Sequence, residues 1–452
     1  MPMSERLSRR TKLLYGCGDT GFSLTTTIIG AYFAIFLTDV VGLAPSIAAA
    51  AIFIGRSWDY INDPLIGHIS DRTRTRWGRR RPFLLFGALP FALTFTLMWW
   101  RPSFTRQIAL AAYYSVAYVL FDAAATFAYM PYFALTPELT ADYDERTSLT
   151  TYRMFFSIAA SLVAFTLPLA MVGSFSPGSE RRIFMMAVTF AIASASPLFI
   201  AFLGTRERDD YMIKRKPALG SSFRAALRNR PFVFGLAIFL VTWVSIDLLQ
   251  AVLLYFIKYY FGREAQSDLI MGAIFITAII ALPLWSWLSR RWNKRWAYVL
   301  GIAFWAVVQI TLVALGSGIG MLVIMSLCVC AGIGVGAAHV LPWSILPDAV
   351  EWDEVQTGER HEGMFYSLIT LAQKIASSVA IPLALLLLDI GGYVPNAVQQ
   401  SASAIRSIRI LAGPVPAVLL CVGIVFAITY PLDREVHTKM RQELEGRRSI
   451  TP

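Results

Sequence analysis

Long apolar runs recur along the whole chain and are separated by short polar loops. A helix of about 20 apolar residues crosses a bilayer core of roughly 30 Å. The runs therefore predict an all-α membrane protein with twelve transmembrane helices, numbered here as spans 1 to 12. The predicted spans are 13–39, 43–70, 82–100, 106–136, 148–173, 182–204, 231–261, 267–289, 296–316, 318–347, 363–391 and 410–432.

Basic residues orient these spans, because short loops rich in arginine and lysine stay on the cytoplasmic side of a membrane. Such residues cluster before span 1, after spans 2, 6 and 8, and after span 12. All of these segments fall on one face when the number of spans is even. We therefore expect a multi-pass protein of the cytoplasmic (inner) membrane with both termini in the cytoplasm.

The longest polar stretch divides the chain into two parts. We predict an N-terminal six-helix half at 1–204, a cytoplasmic linker at 205–230, a C-terminal six-helix half at 231–432 and a cytoplasmic tail at 433–452. Weak symmetry relates the halves, because Pro137-Glu138 closes span 4 and Pro347-Asp348 closes span 10. The loop SDRTRTRWGRRRP after span 2 also has a shorter counterpart, SRRWNKRW, after span 8. Two parallel six-span repeats are typical of the major facilitator fold, whose binding site lies near the midplane.

Composition excludes a soluble protein and argues against a nucleic-acid partner, disulfide bonds and a metal site. Hydrophobic residues make up 56% of the chain and charged residues 15%, against roughly 25% charged in soluble domains. The net charge of +11 is spread over short loops, which suits contact with membrane lipid and predicts no nucleic-acid partner. The cysteines lie in apolar segments without paired spacing, so neither a disulfide framework nor a metal site is predicted.

Span 2 carries three charges in the middle of an apolar helix. Arg56, Asp59 and Asp63 are spaced by three and four residues and so share one face, with Asn62 beside them. Each central charge costs about 2.5–3.5 kcal/mol on insertion, so this face must look into the bundle. The carboxylates and the amide oxygen indicate a site for a sodium ion or a proton. The alternative is a structural ion pair between Arg56 and one aspartate.

Polar side chains also form stripes on two other spans. The stripes are Tyr118, Asp122, Thr126 and Tyr129 on span 4, and Tyr366, Thr370 and Lys374 on span 11. Asp19 on span 1 and Asp247 on span 7 are candidate partners of Lys374. Hydroxyl, aromatic and charged groups around one cavity suit a polyhydroxylated ligand. A hydrogen bond between helices is the alternative for each of these residues.

Three further places keep two interpretations each. Arg153 on span 5 either faces the cavity or extends to the cytoplasmic surface. His339 on span 10 is either a structural residue or a proton carrier. Asp71, Arg76 and Arg79 in the loop after span 2 either close a gate by pairing with other loops or only set the topology.

Several motifs in one order resemble the glycoside, pentoside and hexuronide cation symporter family. They are YGCGDTG, LTDVVGL, RSWDYINDPLIG with the loop that follows it, MPYFALTPEL, YSLITLAQK and GGYVPN. The resemblance covers nearly the whole chain and implies a major facilitator fold of twelve helices in two six-helix halves. It also implies that Asp59 and Asp63 bind the cation with Asn62 and Thr126 beside them. Arg153, Thr370 and Lys374 are then on the sugar side.

The chain departs from the family pattern at the sugar site. The family's galactoside-binding aspartates on spans 1 and 4 read here as Ser23 and Tyr129, and its tryptophan on span 10 reads as His339. Asp19 or Asp122 is a candidate replacement, so galactoside specificity is not carried over. The stretch DERTSLTTYRM also resembles the sodium-dependent lysolipid transporters of animals.

These observations predict a secondary active transporter that moves a sugar or glycoside together with Na+ or H+ by alternating access. The alternative is a sodium-coupled carrier of a lysolipid or another amphiphile. A channel is disfavoured, because no repeated filter loop is present. We expect no enzyme activity, no cofactor apart from the coupling ion, and a monomer.

Overall fold

The computed structural model describes residues 7–140, 143–207, 226, 228–357, 362–397, 399–432 and 440. These residues form helices and loops, and their only β-type pairing is one bridge between Thr75 and Gly78. The predicted all-α fold is confirmed. Most of the predicted linker (208–225 and 227) and all of the predicted tail except residue 440 lie outside the described residues.

Within this part of the chain, ten helices are long and apolar enough to cross a membrane. They are Arg81–Met98, Gln107–Thr136, Ser148–Val172, Glu180–Gly204, Arg230–Tyr260, Glu264–Arg291, Lys294–Ala314, Met321–Thr357, Met364–Ile390 and Ala402–Ile428. They correspond to predicted spans 3 to 12. Spans 1 and 2 are also helical but are broken into shorter pieces.

The pieces of span 1 are α1 (Arg9–Gly16), α2 (Asp19–Ile28) and two π-helical turns at Ile29–Phe33 and Phe36–Val40. Span 2 consists of α3 (Pro45–Ser57) and α4 (Asp59–Arg72), which meet at Trp58. Breaks and π-turns of this kind are frequent at functional sites. The break in span 2 lies directly before Asp59, the first candidate cation ligand.

The chain forms two compact units. Among the described residues, the first unit comprises those up to 207 together with 264–268 and 381–404. The second comprises 226, 228–263, 269–380 and 405–432, with residue 440. The remaining helices are α5 (Arg81–Met98), α6 (Gln107–Leu139), α7 (Tyr143–Val172), α8 (Glu180–Gly204), α9 (Arg230–Tyr255), α10 (Ser267–Arg291), α11 (Lys294–Ala314), α12 (Met321–Thr357), α13 (Glu362–Ile390), α14 (Ala402–Ala412) and α15 (Pro414–Ile428).

Small residues allow close helix crossings in both units. In the first unit α2 packs on α7 and α8, and a Cβ atom at Gly21 would lie 2.0 Å from the Ser194 carbonyl oxygen. In the second unit α11 packs on α12 and α15, and a Cβ at Gly334 would lie 2.3 Å from the Cβ of Trp305. Membrane helices approach closely at such residues because lipid supplies no hydrophobic drive for packing. These crossings hold the polar faces of the helices in register.

The repeat seen in the sequence has a counterpart in an ion pair that occurs once in each unit. In the first unit Arg79 and Arg80 pair with Glu138 near the end of α6, with the Arg80 Nε 2.6 Å from the carboxylate. In the second unit Lys294 Nζ lies 2.6 Å from the Asp348 carboxylate on α12. Arg79 and Lys294 occupy the same place in WGR and WNK. Each of the two loops thus pairs with an acidic residue that directly follows a proline on a long helix.

Candidate functional site

The candidate cation ligands come together on two helices of the first unit. The hydroxyl of Thr126 on α6 lies 3.4 Å from Asp59 Oδ1 and 3.2 Å from Asp63 Oδ1 on α4. Asp59 and Asp63 are one helical turn apart, so their carboxylates point to the same side of α4. Both are partly exposed, whereas Thr126 is buried. One hydroxyl thus lies within hydrogen-bond distance of two partly exposed carboxylates.

Asn62 is buried beside this group and contacts α6 through its amide. Its Nδ2 donates to the backbone carbonyl of Asp122 at 3.4 Å. Because an amide carries one acceptor oxygen besides its two donor hydrogens, Asn62 can still offer an oxygen ligand. Carboxylate, amide and hydroxyl oxygens are the ligand types that hard cations prefer. The four residues predicted for the cation site therefore form one cluster.

Arg56 approaches the same cluster from the end of α3. Its Nε donates to the Tyr118 hydroxyl at 3.0 Å. The contact ties the charged face of span 2 to the polar stripe of span 4. Asp122 lies on that stripe one turn before Thr126, and its backbone meets Asn62. The structure thus places Asp122 beside the candidate cation ligands, although the sequence suggested it for the substrate.

Arg153 on α7 is directed into the first unit and not toward a surface. Its Nε lies 3.3 Å from Asp19 Oδ2, and both side chains are largely buried. The guanidinium also lies over the rings of Phe133 and Tyr132, 4.6 and 5.6 Å from their centroids. A buried arginine and aspartate bordered by aromatic faces can bind a polar ligand on one side and its C–H surface on the other.

Ser23 and Tyr129 occupy the positions of the substrate-binding aspartates in the family that the motifs resemble, and both are buried. Tyr129 is 1% exposed, and its ring packs against Phe22 and Phe91 with centroids 5.2 Å away in each case. The Ser23 hydroxyl lies 2.5 Å from the Ser157 hydroxyl. In this arrangement a ligand reaches Tyr129 only if the neighbouring rings move. Asp19 is the carboxylate that the structure puts beside Arg153.

The second unit holds the other candidate substrate residues. The Ser377 hydroxyl on α13 donates to the carboxylate of Asp247 on α9. Asp247 is 9% exposed. On the same helix as Ser377, the Thr370 hydroxyl is exposed and bonds to the Tyr366 carbonyl oxygen at 2.9 Å. Lys374 is partly buried one turn further on. Tyr366, Thr370 and Lys374 are spaced by four residues along α13.

His339 lies beside an aromatic cluster that sequence reasoning missed. Its Nδ1 is 2.9 Å from the Val335 carbonyl oxygen one turn earlier, and its ring centroid is 5.8 Å from that of Trp243 on α9. Trp243 also contacts Trp343 and stacks on Phe239. Nothing in the sequence set Trp243 apart from other apolar residues of its span.

The residues suggested for a gate make contacts within the first unit. Arg79 pairs with Glu138, and the Arg76 guanidinium carbon lies 4.4 Å from the centroid of the ring of its neighbour Trp77. The side chain of Asp71 lies outside the described residues. Glu207 was not singled out in the sequence, yet its carboxylate accepts the N–H groups of Arg79, Arg80 and Arg81 at 2.6, 2.7 and 2.9 Å.

Two motifs that lie far apart in the sequence also meet. Tyr393 of GGYVPN donates its hydroxyl hydrogen to the Asp39 carboxylate of LTDVVGL. The Asn396 amide donates to the Asp39 carbonyl oxygen at 2.5 Å. Asp39 and Tyr393 are both buried.

Comparison with known proteins identifies the family. A family model described as MFS/sugar transport protein matches residues 14–434. The chain belongs to this family. The match agrees with the resemblance in the motifs, and it makes the chain a multi-pass membrane transporter of the major facilitator superfamily and not an enzyme.

Curated relatives of similar length support the same class. An uncharacterized symporter of Synechocystis is 32% identical, with 98% of each chain covered. The sodium-dependent lysophosphatidylcholine symporter 1-A of Danio rerio is 30% identical over 96% of this chain and 88% of its own. The isoprimeverose transporter of Lactiplantibacillus pentosus is 28% identical over 98% of this chain and 92% of its own. The chain is therefore an MFS symporter of a small-molecule substrate.

A solved structure agrees on the fold. The inward-open xylose transporter of E. coli superposes with a TM-score of 0.63 at 14% identity. It covers 93% of this chain and 96% of its own. Because the identity is low, this likeness concerns the fold alone.

Proposed function

We propose that this symporter moves a sugar or glycoside together with Na+ or H+ across the inner membrane by alternating access, as a monomer with both termini in the cytoplasm. The observation that carries the proposal is the Thr126 hydroxyl, which contacts both Asp59 and Asp63. A monovalent cation bound there is attracted by two carboxylates that share one helix face, and it lowers the repulsion between them.

The coupling ion provides the driving force. One elementary charge moving through 100 mV supplies about 2.3 kcal/mol, which supports roughly fifty-fold accumulation of substrate. A sodium ion would use the carboxylates with the Thr126 hydroxyl and the Asn62 amide oxygen. A proton would need only one carboxylate. A variant without the Thr126 hydroxyl or the Asn62 amide therefore shows which ion is used, because its loss weakens sodium coupling far more than proton coupling.

The Asp19 and Arg153 pair supports a polar substrate. Its carboxylate and guanidinium offer acceptor and donor groups to hydroxyls, while the partly exposed ring of Phe133 beside them offers an apolar surface. The isoprimeverose transporter, a relative at 28% identity, is the comparison that favours a sugar. On the family resemblance, we also propose Thr370 and Lys374 as substrate residues.

A sodium-coupled lysolipid carrier is the second candidate. The lysophosphatidylcholine symporter of Danio rerio is 30% identical to this chain. In addition, Ser23 and Tyr129 stand where the sugar-transporting family has aspartates. The same Arg153 would then meet a phosphate group in place of a hydroxyl.

The test is uptake into proteoliposomes that contain the purified protein. Labelled pentosides, glycosides and uronides and one labelled lysophosphatidylcholine are offered under a sodium gradient, a proton gradient or neither. Accumulation of a sugar under one gradient is expected, and it names both the substrate class and the ion. Accumulation of the lysolipid alone contradicts the sugar assignment and supports the second candidate. Uptake that equilibrates without following any gradient contradicts coupling.

A further inference from the structure

A groove of about 560 Å³ opens on the surface of the second unit, at the start of α11. Its lining residues are Trp292, Asn293, Trp296, Val299, Leu300 and Ala303. Apart from Asn293 they are apolar, and Trp292 and Trp296 are each about half exposed, at 56% and 49%. None of them belongs to the transport site proposed above.

The groove follows one face of α11. Asn293, Trp296, Leu300 and Ala303 recur at steps of three and four, and the helical rise from the N-cap Asn293 to Ala303 is roughly 15 Å. Half of a hydrocarbon core is about 15 Å thick. The exposed face continues beyond the groove with Phe304 and Val307. The groove therefore has the length of one leaflet and continues into an apolar surface that suits lipid tails.

The mouth of the groove is strongly basic. The segment SRRWNKRW supplies Arg290, Arg291, Lys294 and Arg295, and no acidic residue occurs from Ser289 to Ala303. Lys294 is engaged by Asp348 at 2.6 Å. The Arg295 guanidinium, by contrast, lies 5.2 Å from the ring centroid of Trp296, which lines the groove. Positively charged side chains thus lie at the end of an apolar groove.

We propose that this groove binds one anionic phospholipid, with an acyl chain along α11 from Trp292 to Ala303 and the phosphate group against Arg290 and Arg295. Tryptophan rings are enriched at the depth where headgroups meet tails, which fits Trp292 and Trp296. Basic pockets beside membrane helices bind anionic headgroups, and each basic residue near the surface contributes about five-fold in affinity. A zwitterionic lipid carries no net charge to match the mouth.

The test compares lipid retention by native mass spectrometry. The purified protein is delipidated in detergent and then titrated with equal amounts of phosphatidylglycerol and phosphatidylcholine of the same acyl chains. We expect one phosphatidylglycerol to be retained in clear preference to phosphatidylcholine. In the double variant Arg290→Gln, Arg295→Gln that preference should fall roughly thirty-fold. The matched control Arg72→Gln, Arg74→Gln removes the same charge from the loop after α4 and should keep the preference.

Location is tested with a photoactivatable phosphatidylglycerol and peptide mapping. Labelling of the peptide that contains 290–303 is expected, and it should be lost when Trp296→Ala is combined with the arginine variants. Three results would each overturn the proposal. The wild type could retain the two lipids equally, the control variant could lose the preference, or the labelling could be confined to another segment. Thermal unfolding of every variant is measured in parallel, and the surface arginine variants should unfold like the wild type.

Discussion

Tyr393 donates a hydrogen bond to the carboxylate of Asp39, a residue 354 positions earlier in the chain. Thr38 contacts the same carboxylate oxygen at 3.0 Å, and Asn396 contacts the Asp39 carbonyl oxygen at 2.5 Å. The carboxylate is fully buried. These bonds fasten the end of the first span to the loop after α13, and they give the motifs LTDVVGL and GGYVPN one shared structural role.

Replacing the tyrosine hydroxyl tests that role. Tyr393→Phe removes a donor from a buried carboxylate, and hydrogen bonds to charged groups contribute about 1.5–3 kcal/mol. We expect a clear fall in the thermal unfolding temperature of the detergent-solubilised protein. The matched control is Tyr152→Phe, at a partly exposed position, which should change the temperature little. Equal stability of Tyr393→Phe and the wild type would show that the bond contributes nothing.

Removing the Thr126 hydroxyl tests the geometry of the cation site. Thr126→Ala deletes the group that contacts Asp59 and Asp63, whereas Thr126→Ser keeps it. If the coupling ion is sodium, the sodium concentration that gives half-maximal uptake should rise about ten-fold or more in Thr126→Ala. The reason is that losing a bond to a charged group costs about 1.5–3 kcal/mol. The serine variant should resemble the wild type.

The control for this change is Thr189→Ala. Thr189 is exposed on α8 and bonds to the Met185 carbonyl oxygen of its own helix. Its removal should leave the sodium dependence unchanged. A Thr126→Ala protein with wild-type sodium dependence would remove Thr126 from the cation site.

Glu207 tests how the loop after span 2 is held. Its carboxylate accepts three successive N–H groups at the start of α5, where the helix dipole favours a negative charge. Glu207→Gln should destabilise the protein by about 1 kcal/mol, measured by thermal or chemical unfolding. Asp389→Asn is the control, because Asp389 lies at the partly exposed C-terminal end of α13 and not at a helix N-terminus. Equal effects of the two variants would contradict the capping role.

Local periodicity predicted the parts of the site that lie on one helix. The spacing of Asp59, Asn62 and Asp63 on span 2 and of Asp122 and Thr126 on span 4 put these groups on single faces, and the structure brings the two faces together. Apolar length predicted the spans for the same reason, since both signals are local. The breaks in spans 1 and 2 were not predicted, because long-range packing decides where a helix is interrupted.

Local sequence patterns do not predict contacts between segments that lie far apart in the chain. Asp19 and Arg153 are 134 residues apart, and nothing in the sequence favoured Arg153 over Lys374 as the partner of Asp19. Tyr129 belongs to a polar stripe by spacing, yet rings of α2 and α5 cover it. A stripe shows which residues share a face, but the neighbouring helices decide which of them remain accessible.

The most direct test of the coupling site is Asp63→Asn, with Asp389→Asn at the partly exposed end of α13 as the control. Two activities are measured in the same proteoliposomes: accumulation of the substrate identified by the uptake panel, driven by the cation gradient, and exchange of substrate at equal concentrations on both sides. We expect Asp63→Asn to exchange substrate but no longer to accumulate it, whereas Asp389→Asn should do both. Gradient-driven accumulation by Asp63→Asn at the wild-type level would contradict the assignment of Asp63 to the cation site.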